Sequence, residues 1–482
     1  MIIAPCETVR AAEKAAFAAR ETTPEALTLA VVQRMASALR DYTPWRGTAL
    51  VYAGKGGNAM DAVGLAARMA GRVLLRAVPG ADIRLLRAVA MGMGDGELVV
   101  AEHAPEPEEG MLLIDGLLGS GAHGDLRPEY ATLVHEMNAL RDASEGGLLV
   151  AVDIPTGLNA DTGEAGASVV RADITCPIGC VKPGLLADGA EDAVGRLLPV
   201  ELPGIPLTPS TTDRVLTAEE PLVQLPRRAN SCFKNRAGRV AIVAGSVGML
   251  GAAQLCAEAA LAAGAGLVVL YCLKETYSLL AVRVAPEVMV RPVASYAEIE
   301  EPNAQALVIG PGLGKLSAAE AAALHDLAHG FRGTVVLDAD GLNLAAEHHW
   351  SFAPNMILTP HPGEMRRLAP HAPQPRRETA ERFLAEHDVT LLLKGTRTLI
   401  ANRRECVYNS TGGSFMANGG QGDVLAGVIG AFAAQGLSPL HAAAAGAYRC
   451  GLAAERARLA RRHELGLLPV AVTATQVIAH LR

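Results

Sequence analysis

Arg239-Val-Ala-Ile-Val-Ala-Gly-Ser246 is a short apolar run that stops abruptly on glycine and serine. A run this brief is too short for an ordinary helix and has the look of a strand buried on both faces. The same pattern recurs at residues 267–271, 306–309, 334–337, 356–358 and 390–393. The residues directly behind these runs are as telling as the runs themselves: Gly310-Pro311-Gly312, Asp338-Ala339-Asp340, Thr359-Pro360-His361 and Lys394-Gly395-Thr396. In an open parallel sheet such strand ends gather in one crevice, the usual position for a ligand.

Upstream, residues 47–53, 73–77, 111–115, 148–153 and 172–175 read as further buried strands, with a helix over 59–70. Between Leu202 and Arg228 the periodicity fades into Pro203, Pro206, Pro209, Pro221 and Pro226 with Thr208, Ser210, Thr211 and Thr212. This places a domain boundary near residue 210. The expected fold class is therefore α/β with two domains, residues 1–210 and 215–482, each a mostly parallel sheet with helices on both faces. A chain of 482 residues is long enough for two substantial cores.

Composition narrows the function. Hydrophobic residues make up 50% of the chain and aromatics only 4%, with 50 glycines, which suits an Ala/Gly/Val-rich α/β enzyme. A net charge of −7 without a basic block argues against nucleic acid as partner. The eight cysteines form no CxxC pair, so they read as reduced thiols and not as a zinc site. The first twenty residues lack the apolar core of a signal peptide, and no run of eighteen apolar residues occurs. A cytoplasmic protein without membrane association, working on small molecules and forming a homo-oligomer, is the expectation.

The chemistry concentrates in Ala417-Asn-Gly-Gly-Gln-Gly-Asp-Val-Leu-Ala-Gly427. Gly419, Gly420 and Gly422 let backbone N–H groups converge on an anion, and a helix beginning near Asp423 adds its positive dipole end. An acid at the rim of such a hole takes the proton from an attacking hydroxyl, which is what phosphoryl transfer requires. Against this stands a plain Gly-rich turn in which Asp423 caps the helix over residues 424–435.

RVAIVAGS (239–246), GPGLG (310–314), DADGLN (338–343), TPHPGE (359–364), LKG (393–395) and NGGQGDVLAG (418–427) stand in the order and spacing of the NAD(P)H-hydrate dehydratases. These are relatives of the ribokinase-like small-molecule kinases, so residues 215–482 resemble a ribokinase-like domain. The resemblance implies that ADP or ATP phosphorylates the hydroxyl of a hydrated nicotinamide ring, after which phosphate leaves; ADP is the donor expected of a bacterial member. It implies Asp423 as base, Gly419, Gly420, Gln421 and Gly422 as the anion hole, and Lys394, Gly395, Thr396, Arg397 and Thr398 as the adenine-nucleotide segment. Gly312 and His361 would contact the hydrated nucleotide, and Glu364 would organise Mg2+ through water. Of Asp338 and Asp340, strand alternation would let at most one face the crevice, and Asp340 reads as a turn former.

The front half resembles the NAD(P)H-hydrate epimerases, a Rossmann-like domain, through GKGGNAMD (54–61), DGLLGSG (115–121), VDIPTGLNADTG (152–163) and Lys182-Pro183-Gly184. The resemblance implies that Asp153 contacts the substrate as an acid, and that Asn58, Asp115 and Thr156 hold K+, for which hard oxygen donors are suited. Gly119, Ser120 and Gly121 resemble a phosphate-facing turn, and Asn58 and Asp61 belong to the NAD(P)H-hydrate site. The first motif departs from its family, whose run is like GKGNNGGDG: Gly57, Ala59, Met60 and Ala62 stand where Asn, Gly, Gly and Gly are usual. Asp115 and Asp153 could equally cap the turns behind them. Two rivals stay open: a ribokinase-like small-molecule kinase, and a front half that only binds nucleotide or mediates oligomerisation.

Overall fold

The computed structural model describes residues 1–40, 47–94, 97–121, 124–202, 204–209, 211–371, 375–465 and 469–481. Ser210 and Pro203, in the stretch read as the domain boundary, lie outside the described residues. The chain divides into two compact units, one of Met1–Val215 with Arg461–Leu468, the other of Leu216–Ala460 with Pro469–Arg482.

The first unit is built on β1 (Thr48–Ala53), β2 (Arg72–Ala77), β3 (Glu97–Val100), β4 (Leu112–Gly116), β5 (Leu148–Val152), β6 (Ile174–Cys176) and β7 (Arg196–Leu197). They pair in the order β3-β2-β1-β4-β5-β6-β7, every pair parallel. From β1 the chain winds one way and from β4 the other, so the switch point lies between those two strands. That is where an open sheet makes room for a ligand. A two-residue β8 (Arg214–Val215) closes back on Ile2.

The second unit carries β9 (Arg239–Val243), β10 (Leu267–Leu273), β11 (Val288–Val293), β12 (Ala306–Ile309), β13 (Thr334–Leu337), β14 (Met356–Leu358), β15 (Thr390–Leu393), β16 (Leu399–Ala401) and β17 (Cys406–Tyr408). They are ordered β11-β10-β9-β12-β13-β14-β15-β16-β17, parallel up to β15 and ending in an antiparallel hairpin. The switch point falls between β9 and β12, whose trailing loops meet through Gly245 N–H donating to the Pro311 carbonyl at 2.9 Å. Helix Gln421–Ala434 lies against helix Leu250–Ala262 with glycine and alanine at the seam, since a Cβ on Gly427 would come within 2.1 Å of the Cys256 carbonyl. Small residues thus bring the catalytic helix candidate tight against its neighbour.

The buried strands track the apolar runs closely; β12 to β15 begin and end on the residues the sequence indicates. The strands that the runs do not reveal, β3, β7, β8, β11, β16 and β17, are short or half exposed, and β11 has Pro292 and exposed Met289 at the sheet edge. Two helix starts differ from expectation. Helix Gly57–Met69 begins before residue 59, and helix Gln421–Ala434 begins before residue 424, so Gly422 and Asp423 lie inside its first turn.

Candidate active sites

In the second unit, Gly420 is the N-cap of helix Gln421–Ala434, with left-handed backbone at φ 91° and no side-chain cap bond. Asp423 therefore does not act as that helix's cap. Burial, reinforced by Asp338 and opposed by Lys394, pushes its carboxyl up to about 7. Lys394 stands directly behind β15 and sets its Nζ 2.7 Å from Asp338 Oδ1 and 3.7 Å from Glu364 Oε2. Although burial opposes its charge, those two carboxylates hold the ammonium above the ordinary lysine range.

Asp338 is buried and also accepts from Thr359 Oγ1 at 2.7 Å. The alternation expected of Asp338 and Asp340 does not apply, because β13 ends at Leu337 and Asp340 opens the next helix. Asp340 accepts from Gly314 N–H at 2.8 Å and from Asn343 Nδ2 at 3.2 Å, tying that helix to the loop after β12. Gly422 backs onto the ion pair: a Cβ there would stand 3.5 Å from Lys394 Nζ and 3.7 Å from Asp338 Oδ2. Among the described residues other than Gly419 itself and its two chain neighbours, no heavy atom lies within 4 Å of the Cβ position of Gly419. Gln421 is less available, since its Nε2 donates to Asn418 Oδ1 and the Val472 carbonyl.

His361 and Glu364 form a capping box for helix Pro362–Leu368. His361 Nδ1 accepts from Gly363 N–H at 2.9 Å, and Glu364 Oε2 accepts from His361 N–H at 2.7 Å. With its other oxygen 3.4 Å from His361 Nε2, buried Glu364 is committed within the protein. Among the described residues no three His, Cys, Asp or Glu side chains gather to hold a metal. Gly312 sits in the loop after β12 at φ 61°, with Met249 and Ala252 so close that a side chain has no space. Gly395, Thr396, Arg397 and Thr398 form the tight turn between β15 and β16, where Thr398 Oγ1 donates to the Gly395 carbonyl at 2.9 Å.

In the first unit the loops after β1 and β4 face each other at the switch point. Asp115, wholly buried at the end of β4, accepts from Leu117 N–H at 3.1 Å and from Thr156 Oγ1 and N–H at 2.8 Å each. Burial raises its carboxyl to about 6 against those donors. Asn58 Nδ2 donates to the Leu118 carbonyl at 3.0 Å, and Leu118 N–H to Thr156 Oγ1 at 3.1 Å. Asn58, Asp115 and Thr156 thus form one oxygen-rich knot. Three of the roughly four acceptor positions of the Asp115 carboxylate are used, which leaves room for an alkali cation.

Beside the knot opens a cavity of about 470 Å³, lined among others by Asn58, Met60, Asp61, Gly119, Ser120, Gly121 and Asp153. Asp153 holds φ at 65°, unusual for a residue with a side chain, at the end of β5. Its Oδ1 takes an ion pair from the buried Lys182 and a hydrogen bond from Ile178 N–H at 3.0 Å. Lys182, Glu13, Thr28 and Lys55 are among the polar residues that sequence reasoning left without a role. Lys182 was visible in its Lys-Pro-Gly motif, but nothing in the string says that its ammonium turns inward. Glu13 carries no local signal at all.

Residues 240–476 match the family described as NAD(P)H-hydrate dehydratase, and residues 24–184 that described as YjeF-related protein N-terminus. The bifunctional NAD(P)H-hydrate repair enzyme Nnr of Coxiella burnetii is 35% identical over 454 residues, covering 90% of this chain and 89% of that protein. The chain belongs to the bifunctional NAD(P)H-hydrate repair enzymes. Another such repair enzyme, from Moorella thermoacetica, is 34% identical over 446 residues, 85% of this chain and 83% of its own. A solved ADP/ATP-dependent NAD(P)H-hydrate dehydratase from Bacillus subtilis, co-crystallised with ATP/Mg2+, is 28% identical and covers 54% of this chain and 93% of its own at a TM-score of 0.47. The repair enzyme here thus carries both family segments, and no described helix is long and apolar enough to cross a membrane.

Proposed function

We propose that this repair enzyme restores hydrated NADH and NADPH by ADP-dependent dehydration of the S hydrate in residues 215–482, and interconverts the R and S hydrates in residues 1–210. The observation that carries the first part is Asp423 in the opening turn of helix Gln421–Ala434, beside the exposed Gly419 and near the Lys394–Asp338 pair.

Asp423 takes the proton of the ring hydroxyl, whose oxygen attacks the terminal phosphoryl group of ADP. AMP leaves with the electron pair of the broken P–O bond. Backbone N–H groups from Gly419 to Gly422 and the helix dipole meet the charge on the moving phosphoryl oxygens. Lys394 supplies a fixed positive charge while staying anchored on Asp338 and Glu364. Inorganic phosphate then departs with the electrons of the C–O bond while the ring nitrogen's lone pair forms a C=N bond, and loss of a proton from the adjacent ring carbon to solvent restores the dihydropyridine. Mg2+ carried by the nucleotide would neutralise phosphate charge. His361 and Gly312 line the hydrated nucleotide, and the turn from Gly395 to Thr398 takes the adenine nucleotide.

In the front half, K+ on Asn58, Asp115 and Thr156 would fix the loop that faces the substrate phosphate, and Asp153 meets the hydrated ring. A product analysis tests this function. The full chain, given S-hydrated NADH and ADP, should form AMP, inorganic phosphate and NADH in equal amounts. A stable phosphorylated product would instead identify a small-molecule kinase.

A further inference from the structure

The 470 Å³ cavity of the first unit presents two carboxyl groups in opposite states of support. Asp153 is anchored: one oxygen is held by Lys182 and Ile178 N–H, and Lys182 is itself wholly buried and held in place by the Ile178 carbonyl at 2.9 Å. Asp61, from helix Gly57–Met69, is paired with no cation among the described residues. Its Oδ1 is buried there without a hydrogen-bond partner. Among the described residues the groups that bear on it are the Thr28 hydroxyl, from helix Pro24–Leu39, and the charged Glu13, from helix Cys6–Ala18, and Asp153. Lys55 lines the same cavity, and Lys182 lies behind Asp153.

We propose that Asp61 is the proton donor of the front-half epimerisation, working against Asp153 as the acceptor that Lys182 positions. This rests on the epimerase part of the proposed function. Asp61 gives its proton to the ring hydroxyl; the C–O bond breaks with its electrons on oxygen, and water leaves. The lone pair of the ring nitrogen forms a C=N bond, giving a cation beside the ionised Asp153. Water adds to the other face of that carbon and gives its proton to the free oxygen of Asp153. The exchanged pair then serves the reverse direction, or returns to its first state through solvent.

The physical basis is the divergence of two environments around like groups. An ionised Asp61 would leave a buried oxygen with no donor, which is costly, whereas the protonated acid is tolerated there. Burial accordingly raises its carboxyl to about 8, against the Thr28 hydrogen bond and with Asp153 and Glu13 adding to the rise. Glu13 is raised in the same sense, by burial first and Asp153 second.

The test uses the full chain with ADP and purified R hydrate, with the enzyme-free epimerisation rate subtracted. Wild-type turnover should fall as pH rises through about 8. Asp61→Asn should lower kcat for the R hydrate about 100-fold with little change in KM and should lose that alkaline limb. Asp61→Glu should recover part of the rate. Dehydration of the S hydrate reports that the other half is intact, and a thermal unfolding profile matching that of the wild type reports that the front half of each variant is folded. Retention of R-hydrate turnover in Asp61→Asn overturns the assignment, and so does a rise in KM with kcat preserved, which would make Asp61 a binding group only. A wild-type chain that consumes the S but not the R hydrate overturns both the assignment and the epimerase reading.

Discussion

Lys394 Nζ lies 2.7 Å from Asp338 Oδ1, joining the end of β15 to the end of β13 beneath the glycine loop. The Asp338 side chain is 2% exposed and that of Lys394 20%, so the pair is largely withdrawn from water. Removing one partner leaves the other charge buried and uncompensated, which costs more than the pair contributed. Lys394→Met should therefore destabilise the second unit by on the order of 3 kcal/mol and abolish dehydration. Urea unfolding and S-hydrate turnover check the two parts separately. Lys394→Met/Asp338→Leu, which removes both charges, should regain most of the stability and none of the activity.

Asp423 as base must be ionised to work. With its carboxyl raised to about 7, S-hydrate dehydration should climb as pH rises through about 7 and level off above it. Asp423→Asn should reduce turnover at least ~100-fold and flatten the profile. The stability effect has the opposite sign. A carboxyl whose folded-state value exceeds its unfolded one favours the fold below the unfolded value of 3.8, and that contribution is lost as pH rises through about 7. Asp423→Asn should thus be no less heat-stable than wild type at pH 8, as a melting curve would show.

Gly420 and Gly422 are needed for different reasons. At Gly420 the backbone is left-handed, and a Cβ would meet Leu255 Cδ1 at 2.6 Å and Ala474 Cβ at 3.0 Å. Gly420→Ala should cost roughly 1–3 kcal/mol of stability. Gly422 lies within the helix at ordinary φ and meets only Lys394 and Asp338 at contact distance. Gly422→Ala should keep or gain stability, by up to about 1 kcal/mol, yet impair phosphoryl transfer by filling space beside the lysine. Equal destabilisation of the two variants would contradict this division.

Met60 packs partly against the front core and partly lines the cavity. Met60→Ala should enlarge the space at Asn58 and Asp61 and raise R-hydrate turnover several-fold, at about 1–2 kcal/mol of stability. Ala59 is best left alone, because it is buried and glycine there would hollow the core. A fall in turnover on Met60→Ala would show a loop rebuilt around the methionine.

What the sequence determined by itself is the α/β pattern and the inventory of chemistry. Short apolar runs such as Ala306–Ile309 and Thr334–Leu337 can only be strands buried on both faces, and the Gly, Pro and Asp residues behind them must lie at strand ends. Asp423, Asp153, Asn58 and Lys394 could be singled out as candidates because they sit in local motifs. The tertiary structure decided which of these residues share an environment. Asp338 and Lys394 are 56 positions apart, and Asp153 and Lys182 29 apart; only the order of parallel strands brings each pair together. His361 and Glu364 read as ligands in the string, and only the fold shows that they also cap a helix, because unpaired N–H groups at its start need acceptors. The unequal support of Asp61 and Asp153 was invisible for the same reason. Burial and the absence of a counter-charge are properties of the space around a residue, which a chain acquires only on folding.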